Sequence, residues 1–284
     1  MFVNDKLIYL QMQKTACTHI ASLLSKHIGG QQIGKHNYLE DFKTKKFICG
    51  SIRNPWDWYV SLWAFGCKKT GRGFLHWRLV NTGFSTFRNF LNYLKSDEYG
   101  PYYDNNVQIK DILDYFFNEF KKPVFSWRDS YKDYKSPEGF RKWLQLIYDP
   151  ERIRDIYEGY SLSSISRFAG LMTYRYCGFF HRNFFNNNNF KNINDIKELK
   201  KYDKNNNILD YIIRVESLEE DFIKMLEKVG YHIDEKTKDL IRNSGKTNVS
   251  THLKTSHYYD EETIKLIAEK EKLIIEKYNY KPPL

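Results

Sequence analysis

The sequence predicts an α/β fold: a central parallel sheet flanked by helices. Two observations carry this. Short buried apolar runs at Lys6–Gln13 and Lys46–Ile52 each lead straight into a helix signal, which is the rhythm of a parallel sheet. A third such run, Ile208–Val215, leads into a third helix. The chain has 284 residues, 41% hydrophobic and 28% charged, enough for a full core and ordinary for a globular protein.

The elements follow in order. Lys6–Gln13 (KLIYLQMQ) reads as the first central strand. Thr15–His27 reads as a helix with Ile20, Leu23 and Leu24 on one face, stopped by Gly29-Gly30. Lys46–Ile52 is the second strand. Asn54 suits an N-cap, Pro55 the first helical position and Asp57 the first turn, so a helix runs to about Cys67. Short helices are expected at Phe87–Lys95 and Gly139–Tyr148, a helix at Ser161–Tyr176 and a weaker one at Ile193–Lys201. Ser217-Leu218-Glu219-Glu220 reads as a capping box opening a helix to Lys228, with Gly230 beyond its end. Asp260 caps a last long helix, Glu261–Tyr278. No repeat or linker is evident, so a single domain is expected.

Residues 68–160 are irregular and rich in Tyr, Phe and Trp. Two readings stand side by side: an acceptor-facing insertion, or helical cover over one face of the sheet. Aromatics make up 17% of the chain, and its net charge is +10. The charge favours an anionic ligand or weak adhesion to acidic polymers. Four cysteines, at 17, 49, 67 and 177, lack the spacing of a zinc site. With no signal-peptide layout and no apolar run near membrane length, the expectation is a reduced, cytoplasmic protein without membrane attachment.

Two segments carry the chemistry. In the first, Lys14, Thr15, Ala16, Cys17, Thr18 and His19 follow a strand and open a helix. Such a junction offers backbone N–H groups, hydroxyls and an ammonium to a tetrahedral oxyanion. An ordinary strand–helix turn with a surface lysine fits the same residues. It is not a Walker A loop, whose glycines precede the lysine. In the second, Arg53 stands between a buried strand and a capped helix, with Ser61 two turns along. Arginine can fork two hydrogen bonds to a phosphate, or pair with a carboxylate.

These segments together resemble the sulfotransferases that use 3′-phosphoadenosine 5′-phosphosulfate (PAPS). Lys14-Thr15-x-x-Thr18 is similar to that family's 5′-phosphosulfate loop. Arg53-Asn54-Pro55-Trp56-Asp57 with Ser61 is similar to its 3′-phosphate segment. Ile213–Phe222 and the Asn248–Tyr280 end look like its late strand and C-terminal helix. Ala16-Cys17 departs from the Gly-Ser or Gly-Thr of many members. The resemblance implies a P-loop-like sulfotransferase fold and sulfuryl transfer from PAPS to an acceptor hydroxyl or amine, without a metal. It implies that Lys14, Thr15, Ala16, Cys17, Thr18, His19, Arg53 and Ser61 bind the nucleotide. Lys246 and Thr247, in the basic Ser244–Asn248 stretch, are expected to close over a phosphate. Lys14 would act in the chemical step and His36, of the Lys35-His36 pair, as general base, with Glu40 and Asp41 as substitutes. The expected acceptor is a small molecule or glycan, with no specific nucleic acid. The rivals are a non-catalytic anion-, glycan- or nucleic-acid-binding protein on the same fold and a nucleotide-dependent kinase.

Overall fold

The computed structural model describes residues 1–40, 42–68, 73–81, 109–156, 159–245 and 251–283. The chain packs as two compact units, neither contiguous in sequence. One comprises Met1–Asn54, Arg175–Arg182 and Asp203–Val249; the other comprises Pro55–Tyr174, Asn183–Tyr202 and Ser250–Leu284.

The first unit is built on a five-stranded sheet of order β3-β1-β2-β4-β5. Its strands are β1 (Phe2–Val3), β2 (Leu7–Leu10), β3 (Gln31–Gln32), β4 (Phe47–Ile52) and β5 (Tyr211–Arg214). β2, β4 and β5 are parallel, with Leu7 opposite Phe47 and Ile52 opposite Arg214. β1 runs antiparallel to both β2 and β3. The sheet is therefore mixed rather than wholly parallel. The two extra strands are two residues each, too short to show a periodicity in sequence.

Alternation divides β2 and β4 between the two faces of the sheet. Leu7, Tyr9 and Cys49 join α1 (Cys17–Ile28), α9 (Leu218–Val229) and α10 (Glu235–Arg242) in one buried cluster with Ile20, Leu24, Phe222 and Leu226. On the other face Gly50 lets Phe180 approach: a Cβ at Gly50 would lie 2.6 Å from the ring. α10 is announced only by Asp234, whose carboxylate accepts the Thr237 N–H at 2.7 Å. Ser217 precedes α9 without a side-chain cap, because Val215–Ser217 form a 3-10 turn that carries the chain into the helix.

The second unit is mainly helical. α2 (Pro55–Cys67) ends where its sequence predicts and is buried nearly all round through Trp56, Trp58, Tyr59, Val60 and Trp63, as a helix apolar on every face must be. Also in this unit are α3 (Phe74–Val80), α4 (Ile109–Lys121), α5 (Val124–Ser130) and α6 (Pro137–Tyr148). The expected helix at 87–95 lies outside the described residues. Trp127, Tyr131, Phe140, Trp143 and Tyr148 are buried, so these aromatics of the 68–160 stretch serve as core.

The expected helix at 161–176 is instead two 3-10 turns, Tyr160–Leu162 and Ser164–Arg167, followed by α7 (Leu171–Phe180). α8 (Ile196–Asn206) comes next. The last helix is broken at Glu271 into α11 (Glu261–Lys270) and α12 (Lys272–Tyr278), with Asp260 and Thr263 forming a capping box at its start. Glu271 is fully buried and accepts the N–H groups of Met172 (3.2 Å) and Thr173 (2.9 Å) and the Tyr59 hydroxyl (2.5 Å). It thereby caps the start of α7 from another part of the chain. Burial pushes its carboxyl up to about 7 against these donors.

Candidate functional site

β2, β4 and β5 point the same way, so the residues that follow them leave from one edge of the sheet. In open α/β sheets that carboxyl edge is where ligands bind.

The chain leaves β2 through a short loop. Lys14 and Ala16 both adopt left-handed backbone, with φ of 64° and 57°. Alternating handedness turns successive N–H groups into one concavity, an anion-binding nest. Ala16 is also the N-cap of α1 and gives no side-chain cap. Among the described residues no protein acceptor meets the backbone N–H of Ala16 or Cys17, while the Thr18 N–H faces the Cys17 thiol. The loop thus ends in a set of donors at the positive end of a helix.

A buried hydrogen-bond chain ties this loop to β4. The Thr15 hydroxyl donates to the Met12 carbonyl at 2.8 Å. It must then accept from Ser51, at 2.7 Å, and Ser51 in turn accepts from the Tyr9 phenol, also at 2.7 Å. Ser51 is the penultimate residue of β4, two residues before Arg53. The two segments singled out in the sequence are therefore joined by a direct side-chain contact. The half-buried Arg53 follows the last residue of β4. Next to it, the Asn54 N–H donates to Glu216 at 2.6 Å, just past β5.

The other candidate residues are distributed as follows. The Thr15 hydroxyl is spent within the fold, on Met12 and Ser51. The Cys17 thiol is buried in the core of the first unit, and burial raises its pKa. His19 is buried on α1. The Thr18 hydroxyl accepts from Lys35 Nζ at 2.8 Å. Ser61 is buried on α2, in the second unit. Lys246, Thr247 and Asp41 lie outside the described residues.

His36 is half-buried, with a left-handed backbone of φ 63°. Its Nδ1 lies 2.7 Å from the Gln11 carbonyl oxygen. A carbonyl only accepts, so Nδ1 carries the proton and Nε2 the lone pair. Burial lowers the imidazole from 6.5 to about 4; the bond to Gln11 opposes this, while Lys35, Arg175 and the terminal amine add to it. His36 is therefore neutral at pH 7, in the tautomer a general base needs. Glu40 is exposed.

Two cations of this neighbourhood escape sequence reasoning. Lys35 was visible as the neighbour of His36, but its reach to Thr18 was not. Arg175 is buried on α7 and bears on His36. It had no local signal, since only the fold brings α7 against the sheet. Among the described residues no group of three or more His, Cys, Asp and Glu side chains is placed to hold a metal. No family model, curated protein or solved structure matches the chain.

Proposed function

We propose that the protein is a PAPS-dependent sulfotransferase on a P-loop-like α/β scaffold. The observation that carries this reading is the junction of the two candidate segments: the left-handed Lys14–Ala16 nest, bonded through Thr15 and Ser51 to β4, whose last residue, Ile52, precedes Arg53. A ligand with two separate anionic groups suits such a pair. A single-phosphate ligand would use only one.

The donor supplies a sulfuryl group activated by a phosphate leaving group. The nest N–H groups and Lys14 hold the anionic end and stabilise charge that grows there as the bond breaks. Lys35, on the Thr18 hydroxyl, adds a second cation to the same loop. Arg53 supplies a fork of donors for the second anion. His36 Nε2 accepts the proton released by the acceptor hydroxyl or amine. Lys246 and Thr247 are proposed to cover the nucleotide. The carbon skeleton of the acceptor makes no contact in this scheme, which fits a small molecule or a glycan equally.

Titration calorimetry tests the reading. The protein should bind 3′-phosphoadenosine 5′-phosphate at least about tenfold more tightly than AMP or ATP, the worth of one charge-assisted contact. Equal or tighter binding of ATP would sink it. The alternative of a non-catalytic anion-binding protein draws support from the Thr15 hydroxyl, which is committed to Met12 and Ser51. Tight product binding with no transfer to a panel of phenols, amines and sugars would select that alternative.

A further inference from the structure

α4 is built inside out. Leu113, Phe117 and Phe120 recur at i, i+4 and i+7, one face of a helix. A globular helix turns such a face to the core. Here Leu113 is 50% exposed, Phe117 59% and Phe120 64%, while the polar Asn118 and Glu119 are buried. Phe125, at the start of α5, is 84% exposed. The ring of Phe116 joins those of Phe117 and Phe120, at 5.7 and 5.0 Å between centroids.

The rotation of this helix is locked from beneath. Glu119 accepts from Arg78 at 2.5 Å and from Lys122 at 3.0 Å. Lys122 also donates to the Arg78 carbonyl at 2.8 Å. Asn118 donates to Asp155 at 2.8 Å, and the other Asp155 oxygen takes the Trp127 indole N–H at 2.9 Å. Turning the phenylalanines inward would strip buried charges of their partners, which costs more than exposed rings do. The outward face is thus enforced by the fold.

Cations flank the stripe. Among the described side chains, Lys121 lies four residues after Phe117 and Arg128 three after Phe125, each a neighbour on its helix; both residues are exposed, and the Arg128 Nε donates to the Val80 carbonyl at 2.8 Å. The nearby acid Asp129 is answered by Lys132 and Lys142, which hold its carboxyl down near 2. The three rings and Leu113 present roughly 500 Å² at about 200 Å² per ring. That falls short of the roughly 800 Å² per partner of a stable protein interface. Exposed rings beside cations match an anionic lipid surface, where rings enter the acyl boundary and cations meet the headgroups.

We propose that the Leu113–Phe117–Phe120 face of α4, with Phe125 on α5 as a second exposed ring, docks the protein on the surface of an anionic membrane. Among the described residues no helix is long and apolar enough to cross a bilayer, and interfacial docking needs none. The proposal stands independently of the sulfotransferase reading.

Vesicle co-sedimentation of the full chain tests it. Vesicles of phosphatidylcholine with phosphatidylserine should bind about tenfold or more tightly than phosphatidylcholine alone, as two surface cations imply. Added salt should weaken that binding. Phe117→Ser/Phe120→Ser/Phe125→Ser should lose at least about tenfold, given the apolar area removed. If the triple variant folds poorly by circular dichroism, Phe125→Ser alone decides, with a several-fold loss expected. The proposal is overturned if anionic vesicles do not bind, or if the serine variants bind as the parent does. It is also overturned if sedimentation without lipid reveals a dimer that the same substitutions dissolve, since a second copy would then own the face.

Discussion

At the residue scale, His36 combines a defined tautomer with a depressed pKa. Its Nδ1 is committed to Gln11, so the exposed chemistry is that of Nε2. With the pKa lowered to about 4, the imidazole stays unprotonated through the whole range from pH 5 to 8. The acidic limb of kcat/KM should therefore fall near 4–5 rather than near the usual 6.5, and His36→Gln should cut turnover about a hundredfold while leaving product affinity intact. A limb at 6.5, or an unchanged rate in the variant, would move the base elsewhere. Lys14→Ala should depress kcat more than it weakens product binding, because its charge matters most as the leaving group develops. Arg53→Ala should instead abolish the preference for a 3′-phosphate at a cost of about 1.5–3 kcal/mol in binding, read by calorimetry.

At the element scale, the loop between β2 and α1 carries a measurable strain. Ala16 holds φ 57°, a region that costs an L-residue about 1–2 kcal/mol and glycine nothing. Glycine gives part of this back through a freer unfolded chain, about 0.4–1 kcal/mol. Ala16→Gly should therefore raise the unfolding free energy by about 0.5–1 kcal/mol, seen as a higher urea midpoint with unchanged slope. A fall would show that the left-handed turn is not kept in solution. β4 makes the opposite case. Gly50→Ala drives a Cβ to within 2.6 Å of the Phe180 ring, so about 1–3 kcal/mol of stability should be lost.

At the scale of the whole molecule, two buried groups tilt stability in opposite directions with pH. The Glu271 pKa is raised in the fold from 4.5 to about 7. The folded state thus holds the proton more tightly, and its contribution is present at low pH and lost as pH rises from about 4.5 to 7. That loss is worth about 3 kcal/mol. His36 is depressed from 6.5 to about 4, so its contribution is full above 6.5 and is lost as pH falls toward 4, by a similar amount. Between 4.5 and 6.5 the two slopes oppose. Glu271→Gln should unmask a stability that climbs with pH in that window, and His36→Gln one that descends. Urea unfolding at pH 4.5, 5.5 and 6.5 reads both. Parallel curves for parent and variants would show that neither group titrates as described.

What the sequence determined by itself is local. Lys6–Cys67 carries its own strand and helix signals, so β2, α1, β4 and α2 were legible to within a few residues, and Pro55 and Gly29 marked helix bounds. The candidate site was legible as two segments, because a cation at a strand–helix junction is a pattern within a dozen residues. The tertiary structure decided the rest. β1 and β3, two residues each, are defined by their pairing, and β1 also by the burial of Phe2 in the core. The last helix breaks at Glu271 because that carboxylate is drawn to the start of α7, a partner far away in sequence. Thr15, read as a ligand hydroxyl, is turned inward by Ser51. The phenylalanines of α4 face out because the ion pairs beneath them fix its rotation. In most of these cases the deciding partner is distant along the chain, as Arg78 is from Glu119 and Thr173 from Glu271, and hydrogen bonds and burial between such partners leave no periodicity to read.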